Sequence, residues 1–153
     1  MSELTPFDNQ LAGLIGALSP ASRRKLAAEI AKQLRAAQQQ RIRQQKAPDG
    51  STYETRKRQP LRAKKGRIKR AMFQTLRTSR YMKASGRNDA AVVEFTGKVQ
   101  RIARIHQLGL KDRPNPHAQD VQYPARQLLG LSHPDKILID MLIMKYVRSN
   151  SVA

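Results

Sequence analysis

Thr78-Ser79-Arg80-Tyr81-Met82-Lys83-Ala84, the cluster Ser85-Gly86-Arg87-Asn88-Asp89, and Ala91-Val92-Val93-Glu94-Phe95 together decide the fold class. Two short runs, the second rich in β-branched residues, flank a turn cluster, which is the signature of a β-hairpin. On either side the pattern is mostly helix or loop. The chain is therefore expected to be α+β.

Upstream, Leu4, Phe7, Leu11, Leu14 and Leu18 recur at spacings of three and four, the period of an amphipathic helix. Ser19-Pro20 interrupts that helix and offers a capping hydroxyl followed by proline at a first helical position. A second helix is expected through Leu26, Ile30 and Leu34 to about Gln45, which makes an N-terminal helical hairpin. Beyond Ala37 its sequence is almost wholly polar (Gln38-Gln39-Gln40-Arg41-Ile42-Arg43-Gln44-Gln45-Lys46), as for a helix end that is solvated or awaits a partner. Pro48-Asp49-Gly50-Ser51 reads as a turn. From there to Arg70 stretches a long basic loop carrying Arg56, Lys57, Arg58, Arg62, Lys64, Lys65, Arg67, Lys69 and Arg70 against one acid, Glu54.

Closer to the hairpin, Ile68, Met72, Phe73 and Leu76 suggest a short helix. Downstream, Val99, Ile102, Ala103, Ile105 and His106 suggest another, stopped by Gly109. Val121-Gln122-Tyr123 reads as a short strand ended by Pro124. Ser132 or His133 with Pro134 opens a last helix through Ile137, Leu138, Met141, Leu142 and Tyr146. The expected order is α-α-loop-α-β-β-α-β-α, with a small antiparallel sheet packed with helices. Its segments are an N-terminal helical part (1–46), a basic loop or arm (47–70), an α+β core (71–148) and a frayed tail (149–153).

Charge points to partners. Thirty Lys and Arg against eleven Asp and Glu give a formal +19 in 153 residues, a field that favours polyanionic or acidic partners. There is no cysteine, hence no disulfide, thiolate metal site or Cys nucleophile. The start, Met1-Ser2-Glu3-Leu4-Thr5-Pro6, lacks the pattern of a secretory signal, and no run approaches the ~20 apolar residues of a membrane span. The expectation is a protein without a membrane role. His106, His117 and His133 lack metal-ligand spacing, and the scattered carboxylates form no catalytic motif. Neither glycine-rich phosphate loop occurs. The expectation is therefore no enzyme, no cofactor and no metal. One alternative is a basic nucleic-acid-binding protein using the 41–70 arm. That arm can neutralise phosphates, but only Tyr53 offers a stacking aromatic.

Several stretches taken in order carry a family resemblance: Leu11-Ala12-Gly13-Leu14-Ile15-Gly16-Ala17-Leu18-Ser19-Pro20, Pro48-Asp49-Gly50-Ser51-Thr52-Tyr53, Gly66-Arg67-Ile68-Lys69 with Met72-Phe73, and Glu94-Phe95-Thr96-Gly97. The most specific are Ile102-Ala103-Arg104-Ile105-His106-Gln107-Leu108-Gly109 and Tyr123-Pro124-Ala125-Arg126-Gln127-Leu128-Leu129-Gly130. The series resembles the phage virion morphogenesis family, the tail completion proteins of contractile-tailed temperate phages. The resemblance implies a fold like that of tail-terminator and neck proteins. It also implies a structural component of the virion at the head-proximal end of the tail, assembled in the host cytoplasm and acting in head-tail joining. By analogy the chain would form a homo-oligomeric ring, such as a hexamer, contacting tail tube or sheath and head-tail connector proteins, with incidental DNA contact. Arg104, His106, Gln107, Tyr123, Arg126 and Leu129 become the expected intersubunit or fold-defining positions. For Tyr123 to Arg126, ending a strand and orienting the last helix is an equal reading.

Overall fold

The computed structural model describes residues 6–56 and 71–151. In chain order the elements are α1 (Pro6–Gly16), α2 (Pro20–Arg43), β1 (Met82–Gly86), β2 (Ala91–Phe95), α3 (Gln100–Leu108), β3 (Lys111–Asp112), β4 (Val121–Gln122) and α4 (His133–Ser151). The α+β class holds, with two separate two-stranded sheets: β1 with β2, and β3 with β4. The chain divides into two compact units interleaved in sequence. The first takes the described parts of Met1–Ala36, Lys83–Glu94 and Leu131–Ala153; the second takes those of Ala37–Met82 and Phe95–Gly130.

In the first unit the N-terminal helical hairpin forms as its spacing predicts. Pro20 opens α2, and the Ser19 hydroxyl accepts the Ser22 N–H at 3.2 Å, satisfying one of the donors a helix start leaves open. Leu11, Leu26, Ile30, Leu34 and Ile143 bury together, joined by Ile15, Leu18, Ala91, Val93, Ile139 and Leu142. Burying one such side chain stabilises the fold by about 1.5–3 kcal/mol. The hairpin lies so close to α2 that a Cβ on Gly86 would strike the Ala28 backbone, so only glycine fits there. The turn between the strands is closed by the Arg87 N–H donating to the Ala90 carbonyl at 2.8 Å. At the start of α4, Ser132 and Asp135 cap reciprocally: Asp135 N–H to the Ser132 hydroxyl (3.2 Å) and Ser132 N–H to the Asp135 carboxylate (3.0 Å). The helix continues through Ser151.

In the second unit α2 ends where Gln45 takes a left-handed φ of 59°. The Asp49 turn forms with Gly50 at φ 89° and the Ser51 N–H donating to Asp49 at 2.8 Å. Gly109 stops α3 at φ 68°. Lys111 and Asp112 form β3, a strand the sequence did not announce, paired antiparallel with the expected β4.

The helix expected over Ile68 to Leu76 does not form in its described part, 71–76. Residues 74–77 make a turn and Phe73 adopts φ 65°. The Gln45 side chain explains this. Its amide oxygen accepts the Met72 N–H and its amide nitrogen donates to the Met72 carbonyl, both at 2.8 Å, withdrawing both groups from a helical ladder. Among the described residues no helix is long and apolar enough to cross a membrane.

Candidate assembly site

All six positions singled out in the sequence fall in the second unit, and five of them share one bonded network. Its centre is the irregular run from Tyr123 to Gly130, where the backbone has no ladder partner for most of its length. Buried backbone groups must still be satisfied, and side chains do this work here. Gln107, on the last turn of α3, accepts the N–H groups of Leu128 (2.7 Å) and Leu129 (2.9 Å) on one amide oxygen. Its amide nitrogen donates to the Leu129 carbonyl at 2.9 Å. The His106 carbonyl accepts the Arg126 N–H at 2.7 Å. Tyr123 donates its N–H to the Leu110 carbonyl at 3.2 Å, and its ring meets His106 edge-on at 5.1 Å. Gly109 must be glycine on two counts: its left-handed φ, and the Ala125 nitrogen only 2.8 Å from where a Cβ would sit.

Arg126 is buried, at 6% exposure. Its side chain turns inward, where it donates to the carbonyls of Glu54 (2.9 Å) and Thr55 (3.2 Å). Burial pulls its pKa below the usual guanidinium value, an effect the Glu54 charge opposes. Arg104 stands apart from the network and is exposed.

Four further residues complete the arrangement. Gln38 is 3% exposed; its amide oxygen accepts the Gly130 N–H at 3.2 Å and is also bonded by Arg41. Arg41 donates to the carbonyls of Gly130 (3.2 Å) and Leu128 (3.4 Å). The Tyr53 hydroxyl donates to the Gln127 carbonyl at 2.8 Å, and burial pushes its pKa up to about 12. Phe73 links the rings, 5.7 Å from Tyr53 and 5.0 Å from His106, both edge-on. A signal for the helical members did exist. Gln38, Arg41, Ile42 and Gln45 recur at three- and four-residue spacing and continue the face begun by Ile30 and Leu34. The polar end of α2 thus has its partner within the chain.

A cavity of about 640 Å³ opens beside this network, lined among others by Arg56, Phe73, His106, Tyr123 and Arg126. Burial holds the His106 pKa below its ordinary value, helped by the Arg126 charge, and its Nδ1 is buried without a hydrogen-bond partner among the described residues. Among the described residues no cluster of His, Cys, Asp and Glu could hold a metal. Of the basic arm, Arg56 is exposed; Lys57, Arg58, Lys64, Lys65, Arg67, Lys69 and Arg70 lie outside the described residues. What the described geometry can do is hold one irregular segment in one conformation.

Two comparisons bear on the chain's kinship. The profile of the phage virion morphogenesis family matches residues 2–148. The tail completion protein S of Escherichia phage P2 is 43% identical over 148 residues, covering 96% of this chain and 99% of that protein. No solved structure matches.

Proposed function

The chain belongs to the phage virion morphogenesis family, and from that membership we propose that it is a structural, non-catalytic tail completion protein. In this reading it caps the head-proximal end of the tail as a homo-oligomeric ring and makes the tail competent to join the head. Its neighbours would be tail tube or sheath subunits and connector proteins.

One observation carries the reading: the 43% identity to a tail completion protein covers 96% of this chain and 99% of that protein. The second unit adds physical support. A surface that must fit several neighbours gains from a backbone already fixed before docking, because less freedom is lost on binding. The clamps of Gln107, Arg126 and Gln38 fix such a backbone. In this reading His106, Gln107, Tyr123, Arg126 and Leu129 serve assembly by shaping the surface around them.

Electron microscopy of lysates from the parent phage with this gene deleted tests the proposal. Filled heads beside unjoined or abnormal tails are expected. Normal infectious virions would overturn it. Nucleic acid that co-purifies with the protein and leaves with salt would then favour the basic-arm alternative.

A further inference from the structure

The outer face of α3 carries Arg101, Arg104 and Leu108 at i, i+3 and i+7, and all three are exposed. That spacing sets them on one side of the helix. β3 places Lys111 and Asp112 beside them, and the two elements wall a cleft of about 390 Å³. Asp112 is 21% exposed and ion-pairs with Arg101 at 2.6 Å, which anchors the more exposed guanidinium. Arg104, the next cation along the face, makes no hydrogen bond or ion pair among the described residues. The cleft therefore holds three cations and one acid that is already engaged. Next to it Leu108 stands 55% exposed.

We propose that this cleft docks an acidic, partly apolar segment of another phage structural protein, with a carboxylate on Arg104 and an apolar side chain on Leu108. The proposal rests on the tail assembly reading and names the chemistry of its partner. A planar guanidinium takes a carboxylate through two parallel hydrogen bonds, which fixes orientation as well as charge. Arginine beside an exposed apolar side chain is the composition of protein interfaces. A phosphate backbone would leave Leu108 without a contact and meet Asp112 as a like charge. A second copy of the chain brings thirty cations against eleven acids, so it offers little acidic surface.

The test uses tails purified from lysates of the parent phage lacking this gene, mixed with the full-length protein and sedimented. Wild type should cosediment. Arg104→Glu should weaken binding by about tenfold or more, Arg104→Lys by less, and the loss should shrink as salt is raised. Arg43→Glu, a reversal at an exposed site on α2, should bind as wild type does. If the reversal at Arg104 unfolds the protein, Arg104→Gln carries the same comparison. Wild type that binds no tails overturns the assembly reading and this proposal with it. Wild type and Arg104→Glu binding tails equally overturns this proposal alone. Arg104→Glu that releases a fluorescent DNA duplex but keeps tails assigns the cleft to nucleic acid and overturns it. An oligomer that Arg104→Glu splits in the absence of tails assigns the cleft to a second copy and likewise overturns it.

Discussion

The first unit is held by aliphatic side chains that meet one another; the second buries apolar residues of its own, Ile42, Met82 and Leu128 among them, and adds polar side chains that meet backbone. Leu26, Ile30 and Leu34 fill a core because any apolar group of about the right size gains from leaving water there. Gln107, Arg126, Gln38 and Gln45 hold loops because each places particular donors and acceptors against particular carbonyls and amides. The first kind of bond tolerates substitution and gives bulk stability. The second tolerates little, since a buried amide left without its partner costs more than an unmade contact. The contrast suggests a division of labour, with a forgiving scaffold in one unit and a specified surface in the other.

The largest expected effect lies in the scaffold. Leu26 is 3% exposed within the cluster, and Leu26→Ala should cost about 2–5 kcal/mol, from lost transfer free energy and the cavity left behind. Leu26→Met should cost less than about 1.5 kcal/mol, because volume is nearly conserved. Thermal denaturation followed by circular dichroism measures both. Equal losses for the two variants would remove the claim that this unit is forgiving.

The same contrast explains what could be seen in the sequence. α1, α2 and α4 were legible because burying one face of a helix imposes a period, and periods survive in the residue pattern. The β1–β2 hairpin was legible from its turn cluster and from Val92, Val93 and Phe95, although β1 runs over Met82–Gly86 where Thr78 to Ala84 was expected, and Gly50 and Gly109 were legible from the turn and stop they make. In the second unit α3 and β4 were legible as well, but the clamps were not, because a glutamine that holds a loop looks like any surface glutamine even where, as at Gln38 and Gln45, it shares the apolar face of a helix. Met72 and Phe73 carried apolar spacing suited to a helix, but the Gln45 amide took the Met72 backbone, a tertiary contact no local pattern records. Within the site, the stretch from Tyr123 to Gly130 was found by its resemblance. The inward turn of Arg126 could not be, since spacing does not say which way a side chain points.

A second prediction sharpens the comparison at a single side chain. Gln107→Met keeps length and removes the amide, so the N–H groups of Leu128 and Leu129 lose their acceptor. The expected loss is about 2–3 kcal/mol, at about 1–1.5 for each stranded donor. Hydrogen exchange should speed up at those two amides while the α1, α2 and α4 amides keep their protection. Unchanged exchange at Leu128 and Leu129 would show that the clamp does not fix the loop.

The smallest effect at neutral pH, and the most specific to the second unit, belongs to His106. Its ring sits between Phe73 and Tyr123, its Nδ1 is buried without a partner among the described residues, and the Arg126 charge acts on it. Burial first, and Arg126 second, hold its folded pKa below the ordinary 6.5. As pH falls through about 6.5 the unfolded chain takes the proton before the folded one does. Stability therefore declines with pH from there until the folded ring also protonates, and above that window His106 contributes nothing to the pH dependence. Asp49 behaves separately. The Ser51 hydrogen bonds hold its carboxyl below 3.8, so whatever it contributes is lost only in more acid solution. His106→Phe cannot take a proton, and its melting temperature should fall less than that of wild type between pH 7.5 and 5. Parallel curves would mean that the ring is free to charge in the folded protein, and that the cavity beside it admits enough water to solvate the cation.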